Sequence, residues 1–507
     1  MKKILFPLAA IFFGLLPFHP FLKTAFSLPP IFAAWKEIFI VIFFLAAVFK
    51  IWKNRKTFRA DFLDFSIFVF VFWSLLTGIL WTGDATGHFF PQNIPQIVFG
   101  VKYGLLFLIA FFAFRHLNFS EKQKSKLFKI AILSAAIAIF FGVAQKTLLP
   151  ENFLTKFHYS AEYGKTEVGD GALSYCHKIE KKISQNEFCR VQSTFSGPNQ
   201  FAAFLLIFLP MFFYGVLRAK KVLPAALFLM LFLAGGFDLI FAFSRSAWIG
   251  AMFAAAAFFV ISAKSPRAAF FHFLLFCGGV AALFFPVFFL EKWDELKIFA
   301  IFAAGIFAAI LLFSDFFAAR KNLFSPILGA IFPAVLGVLI LARAFFDTFF
   351  WNILFRPSST NGHFERMADA ISAIFQNPFG LGLGDAGPAS ARFAAAGQTG
   401  FLPESWFLQV GLESGFLGLF LFVAILFLTG QKLFSSKNEF AAPLFLALVG
   451  LSGMALFLHS FESAAVAFSF WGLAGLAIAD DKKENVFQKL FRFFKKFSFQ
   501  KREKRKK

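Results

Sequence analysis

Fourteen apolar segments recur along this chain, near 4–21, 31–49, 62–81, 96–114, 130–149, 200–217, 222–241, 247–263, 268–290, 296–315, 326–346, 406–429, 440–458 and 463–479. Each is long enough, or nearly so, to cross a hydrocarbon layer of roughly 30 Å. With 59% hydrophobic and only 15% charged residues, the 507-residue chain has too little polar surface to cover a soluble globule of its size. Lipid is the missing solvent, and the predicted fold is an all-α integral membrane protein of about fourteen transmembrane helices (12–14) with two long extracytoplasmic loops. The 89 phenylalanines fall all round the apolar segments and are read as lipid-facing and packing mass without a recognition role.

Every second connection is basic: Lys50 through Arg59, Arg115 through Lys129, Arg218 through Lys221, Lys264 with Arg267, Arg320 with Lys321, and Lys432 with Lys437. Basic connections face the cytoplasm. The alternate ones, such as 82–95 with Asp84 and no Lys or Arg, or Glu291 to Glu295, are neutral or acidic and face outward. This alternation, in a polytopic inner-membrane protein, keeps both termini on the cytoplasmic side. The net charge of +22 is therefore a topology signal, and no nucleic-acid partner is expected.

The chain divides into 1–149 with five spans, an external loop 150–199, spans six to eleven in 200–346, a large external loop 347–405, three last spans in 406–480, and a basic tail 481–507. In the tail Phe487, Leu490, Phe491, Phe494 and Phe497 repeat at helical spacing between lysines and arginines, the pattern of an interfacial helix on anionic lipid. Met1-Lys2-Lys3 and the apolar run after it resemble a signal peptide, but no small-residue cleavage site follows. Cys277 lies in an apolar segment; Cys176 and Cys189 share the first external loop and can pair as a disulfide there if the loop is extracytoplasmic.

Polar groups at the outer edge carry the chemical information. Arg245, in Phe-Ser-Arg-Ser-Ala-Trp, stands at an outer turn where the positive-inside rule disfavours it, although it can also snorkel beside Trp248. A guanidinium is a two-pronged partner for phosphate oxygens. Arg190 precedes Val-Gln-Ser-Thr-Phe-Ser-Gly-Pro-Asn-Gln, in which Pro198 and Asn199 suit a helix start, so plain capping also explains them. The large loop holds His363, Glu365 and Arg366, then Asn377-Pro-Phe-Gly-Leu-Gly-Leu-Gly-Asp-Ala-Gly387. The glycines match a dinucleotide fingerprint by spacing alone, without a preceding strand or βαβ unit, and are read as tight backbone turns. Glu404 falls at the outer start of the twelfth span, where it serves either as helix-terminus electrostatics or as a general base. His459 and Glu462, three apart, are placed on one face where the last two spans meet, with mutual pairing as the plainer reading. No phosphate loop or Cys/His quartet occurs, and neither long outer loop holds a paired-Asp metal motif, so neither cofactor nor metal is expected.

Taken together, Arg190 to Asn199, Ser244-Arg245, Arg366, the Asn-Pro-Phe-Gly-Leu-Gly-Leu-Gly stretch, and Glu404-Ser405-xx-Leu408-Gln409 to Glu413-x-Gly415 resemble the bacterial O-antigen ligase and polysaccharide polymerase family over roughly 60–480. The resemblance implies transfer of a glycan from an undecaprenyl diphosphate carrier to a lipid-linked sugar, a growing glycan or a protein hydroxyl, without metal or nucleotide sugar. In the ligases a His just before the span is usually proposed as the base; here the corresponding position is Glu404. The chemistry suits the residues on its own terms. Arg190, Arg245 and Arg366 are candidates to stabilise the departing diphosphate. Glu404, with His363 as substitute, is the candidate base, and direct displacement would invert the anomeric centre. Asn199, Ser405, His459 and Glu462 complete the candidate substrate-binding set. A protein O-oligosaccharyltransferase is the alternative within this class. Outside it stand a lipid-linked glycan flippase, which would carry its charges around a central cavity within the spans, and a non-catalytic scaffold.

Overall fold

The computed structural model describes residues 2–55, 60–80, 94–151, 153–160, 173–174, 176–178, 187–262, 357–393 and 400–479. The three spans expected within 268–346 and the basic tail 481–507 lie outside the described residues. The chain forms two compact units, one of Met1–Ala251 with Ser358–Lys507 and one of Met252–Pro357. The first contains every candidate site residue.

Among the described residues the first half is built from α1 (Lys2–Leu15), α2 (His19–Ala25), α3 (Trp35–Lys53), α4 (Phe62–Leu80), α5 (Ile94–Gly104), α6 (Leu106–His116) and α7 (Glu121–Thr147). After the strands β1 (Cys176–Lys178) and β2 (Glu187–Cys189) come α8 (Pro198–Arg218), α9 (Val222–Phe241) and α10 (Arg245–Ser262). The large loop contributes α11 (Pro357–Gln376) and α12 (Gly387–Phe393), and the chain continues through α13 (Trp406–Ser435), α14 (Ala441–Ala455) and α15 (Ala464–Ala477). Each apolar segment that falls on described residues is helical there. Seven described helices are long and apolar enough to cross a membrane, or eight if the α5–α6 pair, bent by 49°, counts as one span. The molecule is membrane-embedded and overwhelmingly helical, with one short antiparallel hairpin, β1–β2, in the first long loop.

Local sequence explains several boundaries. Ser120 opens α7 with a capping box: its hydroxyl accepts from the Gln123 amide while the Gln123 side chain accepts from the Ser120 amide. Gly197 caps α8 with Pro198 in the first turn, where a missing N–H costs nothing. Ser405 caps α13 by accepting from Leu408 N.

α15 is the hub. It is apolar on every face and buried along its whole length, and it packs on α6 so closely that a Cβ on Gly475 would lie 2.5 Å from the Phe111 carbonyl oxygen. Helices α8 and α9, α4 and α13, α3 and α6, and α1 and α7 form further neighbouring pairs. Aromatic rings fill the centre, with Phe107, Trp406, Phe422, Phe461 and Trp471 in mutual edge and tilted contacts. Many phenylalanines are therefore interior packing; others, such as Phe68, Phe72, Phe420 and Phe427, lie exposed on the outer flanks of the bundle.

The linker 456–463, which joins α14 to α15, carries His459, Ser460 and Glu462. At the opposite end, Arg115 joins Asp61 and Asp64, Lys432 reaches Asp61 at 2.7 Å, and Lys50 donates to the Leu117 carbonyl at 2.8 Å. Burial would raise the Asp61 carboxyl, but Arg115 and Lys432 outweigh it and hold the group well below the usual carboxylate range.

Candidate functional site

Three stretches far apart in sequence meet at the end of the bundle away from Arg115. The first is the segment just before α13. Glu404 sits at φ +55, a left-handed conformation that disfavours a residue with a Cβ by about 1–2 kcal/mol. Such strain persists where surrounding contacts over-determine it. Here the contacts are two side chains one helical turn apart on α11: His363 Nδ1 lies 3.0 Å from Glu404 Oε2, and Arg366 Nη1 donates to Glu404 Oε1 at 2.5 Å. Burial pushes the Glu404 carboxyl upward, but the hydrogen bond and charge of His363, with help from His459 and Arg366, prevail and hold it below its ordinary value. Glu404 is thus a carboxylate at neutral pH. Its partners are more open: the His363 side chain is 37% exposed and that of Arg366 58%, against 13% for Glu404. A carboxylate on Nδ1 fixes the imidazole tautomer that carries its proton there, leaving Nε2 as an acceptor.

The second stretch is the linker 456–463 between α14 and α15. Burial drives the His459 imidazole down to about 4, against the opposing pull of Glu404, so it is neutral. Its Nε2 is sealed from solvent and has no hydrogen-bond partner among the described residues. His459 and Glu462 lie in this linker and not on a helical face, as the spacing suggested. They are joined by a backbone turn, Glu462 N donating to His459 O at 3.2 Å, while the electrostatic partners of His459 are Glu404 and His363. Both line a small cavity of about 60 Å³ with Asn199, Gln200, Ser460 and Ser463.

The third stretch is the turn before α8. Arg190, 8% exposed, donates from Nε to the Ala242 carbonyl at 2.7 Å and from Nη2 to Asn199 Oδ1 at 2.8 Å. Val191 N donates to Phe241 O, so this segment is stitched to the α9–α10 turn that carries Ser244 and Arg245. The two arginines anticipated from the sequence therefore share one corner, and Asn199 links that corner to the cavity holding His459. Next to Arg190, Cys189 is disulfide-bonded, and the β1–β2 register sets Cys176 opposite it. Ser405 is engaged in structure: besides capping α13, its hydroxyl donates to Ala455 O at 3.1 Å.

The glycine-rich loop shapes this end of the molecule. Gly380, Gly382, Gly384 and Gly387 all adopt positive φ, the conformation that tight backbone turns ask of glycine. The loop lies against a break in α13 at Gly415 (φ +65), with Leu381 N donating to Leu412 O at 2.7 Å and Phe416 N to Pro378 O at 2.9 Å. Gln96 of α5 closes the other side through Gly384 O at 2.9 Å and Asp385 Oδ1 at 2.6 Å. Burial pushes the Asp385 carboxyl up to about 7.

Several polar groups here are not marked by local sequence. Gln96, Asp385 and Glu413 join only through the folded loop, and Lys36, Glu37 and Lys102 meet only because α3 and α5 close together. Asp238, fully buried in α9 against Gly142 with neither carboxyl oxygen hydrogen-bonded among the described residues, had a visible signal: an acid inside an apolar span. No family model matches the chain, and no curated protein matches it.

Proposed function

We propose that the chain is a metal-independent membrane glycosyltransferase of the O-antigen ligase and polymerase kind. It would transfer a glycan from an undecaprenyl diphosphate carrier to a hydroxyl acceptor at the outer face of a bacterial inner membrane, within a bundle of about fourteen spans. The observation that carries the reading is the Glu404–His363–Arg366 cluster, held by a strained backbone beside a cavity that leads to Arg190 through Asn199.

The reaction these groups suit is a direct displacement. The acceptor oxygen bonds to the anomeric carbon as the bond from that carbon to the diphosphate oxygen breaks, and the carrier diphosphate departs with the electron pair. The acceptor proton goes to a base. The geometry favours His363 Nε2 over Glu404 itself for that task, since Glu404 is already held charged by two partners and serves better to orient the imidazole and stabilise its cation. Arg190 and Arg245, fixed at one corner, supply positive charge for the leaving diphosphate. The anomeric centre would invert.

The test is transfer from purified undecaprenyl diphosphate donor in detergent, without metal or ATP, to lipid-linked core, free glycan and peptide acceptors. Turnover by the native protein that falls about 10²–10⁴-fold in His363→Gln, the contribution expected of a general base, supports the reading. Absence of turnover with every acceptor, with movement of the intact donor across liposomes instead, would replace it with a flippase.

A further inference from the structure

Helix α11, in the large loop, has an apolar surface that its own packing does not use. Ala370 and Ile374 turn one face onto α13, buried with Leu412 and Ala386, so tightly that a Cβ on Gly411 would lie 2.8 Å from Ile374 Cδ1. A second face is polar: Glu365, Asp369, Ser372 and Gln376 are all exposed. Between these two faces runs a third stripe, Phe364, Ala368, Ile371 and Phe375, at the i, i+4, i+7, i+11 spacing that keeps residues on one side of a helix. Its large members stay open, Phe364 at 59%, Ile371 at 45% and Phe375 at 70% exposure. A loop helix surrounded by water hides its apolar residues on the packing face and leaves the rest polar. A contiguous exposed apolar stripe marks a surface that meets another partner or phase.

What the stripe runs into identifies its occupant. At its end Phe375 meets Phe416 edge-on, with ring centroids 5.4 Å apart, and the exposed Phe379 follows. Phe416 opens the exposed flank of α13, which continues through Leu417, Phe420, Val423 and Phe427. Because α13 is long and apolar enough to cross a membrane, that flank faces acyl chains. The stripe of α11 therefore extends a lipid-facing surface. With 20 residues α11 is not itself among the helices apolar enough to cross. Sharply divided polar and apolar faces on a helix of low overall hydrophobicity are the pattern of one that lies at an interface. We propose that α11 is an interfacial helix whose Phe364, Ile371 and Phe375 dip into the acyl chains of the adjoining leaflet and anchor the Glu404–His363–Arg366 cluster against the membrane surface. His363 and Arg366 belong to the same helix, so one anchor fixes both relative to the lipid. This seating does not rest on the glycosyltransferase reading, and it is tested without any transfer.

The test is a nitroxide placed at single positions of the full chain in phospholipid nanodiscs, in a Cys277→Ala background that keeps the Cys189 disulfide. Ile371→Cys and Phe375→Cys report the apolar stripe, and Asp369→Cys and Ser372→Cys report the polar one. Electron-spin power saturation then compares collisions with oxygen, which concentrates in lipid, and with a water-soluble nickel chelate. The expected result is oxygen exceeding chelate at the first pair and chelate exceeding oxygen at the second. Chelate access at all four positions puts the stripe in water and overturns the proposal. Exclusion of both agents from the first pair also overturns it, in favour of a protein cover, either the spans expected within 268–346 or a second copy of the chain. All four positions are exposed, so the labels leave the Ala370 and Ile374 packing face intact, and Phe364→Cys repeats the apolar reading if one variant misfolds.

Discussion

At the scale of single residues, the behaviour of the site depends on which carboxylates are charged. Asp385 is pushed up to about 7 by burial, while an unfolded Asp titrates near about 3.9. The folded state therefore binds the extra proton between those values. Its stabilising contribution is complete below about 3.9 and is lost as pH rises through about 7. Asp385→Asn, which keeps an oxygen acceptor for Gln96, should melt higher than the native protein at pH 8 and no higher at pH 4; thermal unfolding in detergent at the two pH values checks this. His459 has the opposite sign. Burial depresses it to about 4 in the fold, below the unfolded value of about 6.5, so its contribution is present above about 6.5 and lost as pH falls through about 4. Of these two groups only His459 stands out in the sequence. Spacing joins it to Glu462; the fold joins it to Glu404, 55 positions away.

At the scale of elements, the broken helix and its glycine loop decide the shape of the site. Gly384 is at φ +97 with its would-be Cβ 2.5 Å from the Gln96 carbonyl, and Gly415 is at φ +65 against the Pro378 carbonyl. Gly384→Ala and Gly415→Ala should each lower stability by more than about 1 kcal/mol and detach the loop from α13, whereas Gly236→Ala, with nothing within 4 Å, should stabilise α9 by up to about 1 kcal/mol. Chemical denaturation of the three variants side by side distinguishes them. The other end has its own fastening. Arg115 is 5% exposed between Asp61 and Asp64, and Arg115→Met leaves buried Asp64 with His116 and partly buried Asp61 with Lys432, for a loss of up to about 3–5 kcal/mol measurable in the same way. The sequence shows Arg115 only as a basic residue in a cytoplasmic connection. Its meeting with Lys432 across Asp61 needs three connections to come together.

At the scale of the whole molecule, charged groups gather at both ends of the bundle. Lys50, Asp61, Arg115 and Lys432 gather at one end, and Arg190, Glu404 and His459 at the other. Fusion reporters should match that division: a phosphatase fused after Glu151 active, and a fluorescent protein fused after Asn438 bright. The reverse pattern would invert the orientation and remove the case for an outer-face reaction. By itself the sequence determined the solvent, the helical class and the placement of the described apolar segments, because burying a backbone in lipid leaves one local solution and hydropathy alone reports it. It also marked Arg190, Arg245, His363, Arg366 and Glu404, since charged groups beside hydrocarbon are conspicuous. Only the tertiary structure decided which of them meet. The α14–α15 linker brings His459 to Glu404, the break at Gly415 admits the glycine loop, and Lys36 and Lys102 of two helices meet at Glu37. Those outcomes depend on the packing of distant surfaces, which no local periodicity encodes.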